Sequence, residues 1–172
     1  MRLTVAPSVW AVRVVGILGL LLGLLGGVPE GYTPSVAVVA VVLLGGVLAA
    51  FRPDDLAASL AMGVVVVFWA VQLDTQVPVG CLVAAAGLVT AHVAGTLLTY
   101  GPPFMAIPGD LLVLWVVRGF LVWLAAPVIW LVARVYADHA TPTSFWLAGL
   151  ATALAGAVLA ALVVRPTAES DR

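Results

Sequence analysis

The sequence predicts an all-α integral membrane bundle of six transmembrane helices, with both termini cytoplasmic. Three observations carry that expectation. Of 172 residues, 64% are hydrophobic and 9% charged, with a mean hydropathy of +1.23, whereas a soluble domain is about half apolar and about a quarter charged. The apolar residues fall into six runs of roughly 18–26 residues, and about 20 suffice to cross a ~30 Å hydrocarbon core. Finally, all seven basic residues are arginine. With the N-terminus inside, Arg2, Arg13, Arg52, Arg118, Arg165 and Arg172 lie at or nearest the inner side, and only Arg134 lies near the outer one. That bias sets orientation, and it agrees with an even number of spans.

The first span covers residues 9–28. Gly16, Gly19, Gly23 and Gly27 share one of its faces, a spacing that lets another backbone approach closely. Arg13 reads as a side chain snorkelling to lipid headgroups. No small-x-small cleavage site follows, so the span reads as retained rather than as a signal peptide.

Thr33 is the expected N-cap of a second span over residues 34–51, with Pro34 at its first helical position. This span is Val, Ala and Leu all round and shows no functional face. Asp54 and Asp55 suit the N-terminus of a third span, 55–73. A fourth follows at 79–100.

The fourth span holds most of the chain's chemistry. At 100° per residue, Cys81, Ala85, Leu88, His92, Thr96 and Thr99 fall in one arc, and Tyr100 ends the stripe at headgroup level. Gly87, Ala91 and Gly95 form a small-residue groove beside it. Stripe and groove are both expected to face protein rather than lipid. An ionisable residue deep in a membrane is costly and often functional. The alternative is structural, a neutral His92 imidazole hydrogen-bonded to a neighbouring helix, and the scarcity of other buried polar groups favours it.

The connection 101–110 is apolar and holds Pro102, Pro103 and Pro108, so it is not helical throughout. Asp110 is the expected N-cap of a fifth span, 111–136. Trp115, Trp123 and Trp130 lie within an arc of about 80° and read as packing and interface anchors. Arg118, off that arc, reads as snorkelling, with a pair to Asp110 or an anionic headgroup as the alternative. Pro127 should kink the helix and free the Trp123 carbonyl. Arg134 marks the opposite interface. Ser144 caps a sixth span, 145–164, in which Gly149, Ala153, Ala157 and Ala161 make another small-residue seam. Residues 165–172 read as a disordered polar tail.

The formal net charge of −1 gives no reason to expect a nucleic-acid partner. A single cysteine, Cys81, allows no intrachain disulfide and no cysteine-based metal site. No metal or cofactor is expected. The serines have no partnered histidine at a readable spacing, and no glycine-rich phosphate loop occurs. All eight acidic residues lie in predicted loops, helix ends or the tail. The chain is therefore expected not to be an enzyme.

The stretch 92–103, HVAGTLLTYGPP, set in a short multispan chain, resembles an actinobacterial family of membrane proteins found beside MoxR-type AAA ATPase genes. The resemblance implies an envelope-associated complex and brings no catalytic residue with it. The expected function is a non-enzymatic subunit or scaffold of the cell membrane. Its partners would be the lipid bilayer and other membrane proteins or further copies of itself. A small transporter or channel built on the His92 stripe is the alternative.

Overall fold

Helices account for nearly all of the described residues, which are 5–26, 28, 33–52, 56–72, 78–102 and 104–136 of the computed structural model. In order they are α1 (Pro7–Leu25), α2 (Val36–Phe51), α3 (Ala57–Gln72), α4 (Gly80–Thr99), α5 (Gly109–Trp123) and α6 (Ala125–Tyr136), with no strand among the described residues. The chain divides into two units, Met1–Val135 and Tyr136–Arg172, and the first holds α1 to α5 and all of α6 but its last residue. The expected sixth span, with Gly149 and the Ser144 cap, lies outside the described residues, as does the polar tail.

Among the described residues, three helical stretches are long and apolar enough to cross a membrane: α1 with 19 residues, α4 with 20, and the continuous run Gly109–Val135 with 27. Helices α2 and α3 have 16 residues each. At 1.5 Å per residue that is about 24 Å, short of the lengths expected for residues 34–51 and 55–73.

Local chemistry explains where the helices start. Pro7 opens α1, where its missing N–H is no loss. Ser35, not Thr33, caps α2: its Oγ accepts from the Val38 N–H at 3.4 Å, so Pro34 stays outside the helix. Asp110 does not cap α5. Pro108 occupies the N-cap position, and Asp110 falls within the first turn, where a carboxylate complements the helix dipole.

The fifth predicted span runs as one apolar helical stretch, Gly109–Val135, with a single-residue interruption. The break is at Leu124, between α5 and α6. Pro127 lies three residues beyond the break, and its ring crowds the carbonyl of the residue four back, Trp123. The interruption falls within the turn that Pro127 disturbs.

Helices α1 and α4 form the spine and run antiparallel. A Cβ added at Gly16 would lie 3.2 Å from the Ala94 Cβ, and one at Gly19 would lie 2.8 Å from the Ala91 backbone nitrogen. A Cβ at Gly87 would meet the Gly19 carbonyl oxygen at 2.6 Å and would also run into the Gly23 backbone nitrogen. The contact positions alternate in steps of three and four on both helices, which keeps them on one face of each. In lipid there is little hydrophobic drive between helices, so close backbone packing is what holds them.

Helix α2 joins the same bundle through two glycines that the all-apolar reading of this helix overlooked. A Cβ at Gly45 would lie 2.8 Å from the Ala61 Cβ of α3, and one at Gly46 would lie 3.0 Å from the Leu20 Cδ1 of α1. Leu24, Val42 and Val65 are fully buried between α1, α2 and α3. The buried Trp69 indole donates to the Gly23 carbonyl at 2.8 Å, which ties α3 to the spine. Helix α5 lies on the other side of α4. Gly119 faces Val93, and the Trp123 indole donates to the Leu82 carbonyl at 3.1 Å.

Candidate functional site

The antiparallel spine sets the register of one end of the bundle. The start of α1, the end of α2, the end of α4 and the start of α5 meet there around a cavity of about 440 Å³. Arg13, Phe51, Leu98, Tyr100, Met105 and Leu111 are among its walls. The 101–108 connection is pinned over the α1 end by the Ile107 N–H, which donates to the Ser8 Oγ at 3.2 Å.

Arg13 is the unexpected residue of this cavity. It does not extend to the surface as a snorkelling side chain would; it is only 9% exposed. Its guanidinium carbon lies 4.7 Å from the centroid of the Phe51 ring and 5.2 Å from that of Trp10. Trp10 and Phe51 meet edge to face at 6.0 Å and so hold the two ring faces in place. The Arg13 Nε is buried with no hydrogen-bond partner among the described residues. Cation–π contacts are worth about 0.5–2 kcal/mol, less than the several kcal/mol that desolvating an ion costs. Nothing in the residues around position 13 marks it for burial, because the burial depends on Phe51, which another helix supplies.

The other arginines behave differently. Arg118 is exposed and lies over the Trp115 ring at 5.4 Å, with no ion pair to Asp110. Arg134 is exposed and lies over the Trp130 ring at 5.4 Å. Each pair spans one helical turn, so the indoles of the tryptophan arc serve as platforms for neighbouring arginines as well as packing. The third member, Trp123, is the one bonded across to α4.

The polar stripe of α4 faces away from the spine. His92 and Thr99 are exposed, Thr96 is half-buried, and Tyr100 is 56% exposed. The expectation that this stripe packs against protein is met only in part: Cys81 and Leu88 pack against the core and Thr99 and Tyr100 line the cavity, whereas His92 is exposed. The reason is geometric: Ala84, Gly87, Ala91 and Ala94 turn the opposite face of α4 onto α1. The threonines are satisfied locally. Thr96 Oγ1 donates to the His92 carbonyl at 2.9 Å, and Thr99 Oγ1 to the Thr96 carbonyl at 2.7 Å. Thr90 does the same to Ala86 at 2.8 Å.

Gly95 faces the other helices but makes no close contact. A Cβ there would meet nothing within 4 Å. It borders a void of about 20 Å³ shared with Gly16, Leu20, Gly46 and Met62.

No protein-family model matches the chain, no curated protein is significantly similar to it, and no solved structure superposes on it significantly.

Proposed function

We propose that this chain is a non-enzymatic subunit of a cell-membrane assembly that docks a partner membrane protein on the outer face of α4. In this reading it crosses the membrane six times, with residues 145–164 as the last span and both termini cytoplasmic. The observation that carries the proposal is His92. It lies 12 residues into the 20-residue α4, beyond reach of either end, and it is exposed on the side facing away from α1. An imidazole held at that depth against lipid is costly, and a partner offering a hydrogen bond removes the cost. The alternation of helix directions through the described helices supports an up-and-down span order, and the arginine distribution supports the orientation.

A transporter would need His92 to line a path inside the bundle, and its outward position favours the partner reading. Purification of the native assembly in mild detergent tests the proposal. A stoichiometric membrane partner, lost in His92→Leu and kept in His92→Gln, is the expected result. A lone chain that carries a pH-dependent flux in liposomes, abolished in His92→Gln, would replace the subunit reading with transport.

A further inference from the structure

The cavity at the α1–α4 end contains a cation with no acidic neighbour among the described residues. Arg13 is nine-tenths buried, its Nε has no partner, and it lines a cavity of about 440 Å³. The other polar side chains on that wall are Thr99 and Tyr100, and neither is acidic. Asp110, the one carboxylate among the described residues, is exposed and does not line the cavity. Two aromatic faces hold the guanidinium in position, its Nε has no hydrogen-bond partner among the described residues, and the in-plane donors of a guanidinium match the geometry of an oxyanion.

The remaining walls are apolar: Val9, Phe51, Leu98, Met105 and Leu111. The volume is at the lower end of the roughly 300–1,000 Å³ typical of small-molecule sites. Arg13 lies six residues inside the start of α1, about 9 Å along the axis, near the depth where a bilayer changes from headgroup to acyl chain. A ligand with an anionic head and an apolar body suits both kinds of wall.

We propose that the Arg13 cavity binds a phosphate group, presented by an anionic phospholipid of the adjoining leaflet. The phosphate oxygens accept from the Arg13 guanidinium, and the Tyr100 hydroxyl is the second donor on the wall. The acyl end lies along Leu98, Met105 and Leu111. The site does not require the partner proposed on α4, which is centred on His92, although Thr99 and Tyr100 belong to both surfaces.

The test uses the full chain, delipidated in detergent and then offered phosphatidylglycerol, phosphatidylcholine or inorganic phosphate. Native mass spectrometry reads the bound species, and thermal unfolding reads the protection. The expected result is one retained phosphatidylglycerol per chain and a raised unfolding midpoint, with phosphatidylcholine ineffective. Arg13→Gln should weaken binding about ten-fold. Ala106→Phe fills the cavity and leaves Arg13 in place; it should lose the lipid equally, and it carries the test if Arg13→Gln fails to fold. Protection by inorganic phosphate alone, with displacement of the lipid, would support the phosphate site and assign it a soluble source. Equal retention of both lipids, no protection by any of the three probes, or wild-type binding in Ala106→Phe would overturn the proposal.

Discussion

Gly19 and Gly87 bring α1 and α4 together backbone to backbone: a Cβ on Gly87 would lie 2.6 Å from the Gly19 carbonyl oxygen, and one on Gly19 would lie 2.9 Å from the Gly87 carbonyl oxygen. Neither position has room for a side chain. Gly19→Leu or Gly87→Leu should therefore force the helices apart and destabilise the bundle by about 1–3 kcal/mol or more. Val41→Leu on the exposed side of α2 (Val41 is 52% exposed) is the control. Unfolding in detergent measures all three. Equal stability would mean that α1 and α4 are not packed in this way.

Gly95 separates this packing from a simple count of small residues. Substitution by alanine meets no atom and begins to fill the small void beside it. Removing a mid-helix glycine also recovers helix propensity. Gly95→Ala should be neutral or stabilising, by up to about 1 kcal/mol. A clear loss of stability would place Gly95 in the seam after all.

The contrast between Gly19 and Gly95 shows how much of the packing is legible in the sequence. Gly16, Gly19 and Gly23 alternate in steps of three and four, and that spacing marks the face that meets α4. Gly87, Ala91 and Gly95 stand in steps of four, but the contacts α4 makes with α1 include Gly87, Ala91 and Ala94. The seam therefore passes through Ala94 instead. A run of small residues records which side of a helix is small; the partner's path decides how much of it is used. The same limit applies to Arg13 and His92. Depth within a span is readable from position, whereas the facing element is not, so Arg13 proved buried and His92 exposed. The break before Pro127 is legible, because a proline disturbs its own helix.

The indole bond of Trp69 gives a further check. Trp69→Phe removes the donor to the Gly23 carbonyl, whose 2.8 Å bond is buried. It should cost about 1 kcal/mol, with most of the packing kept. Backbone amide exchange should also rise around Gly23 and Leu24. A variant indistinguishable from wild type would show that the bond adds nothing to the attachment of α3.

Orientation is tested by impermeant thiol labelling of intact cells. Cys81 is half-buried in α4, and Cys81→Ala provides the background. Glu30→Cys should label from outside and Ala168→Cys only after lysis, as the arginine bias requires. Labelling of residue 168 but not residue 30 in intact cells would invert the arrangement.

The central claim is that a partner covers the outer face of α4, and in-cell photocrosslinking tests it most directly. A photoreactive residue replaces Thr99, which is exposed on that face, or Val67, which is 62% exposed on α3. The account predicts a discrete adduct heavier than the chain from position 99, its loss in His92→Leu, and none from position 67. Only lipid adducts at both positions, or a cross-link from position 99 back to residues 137–172 of the same chain, would contradict it.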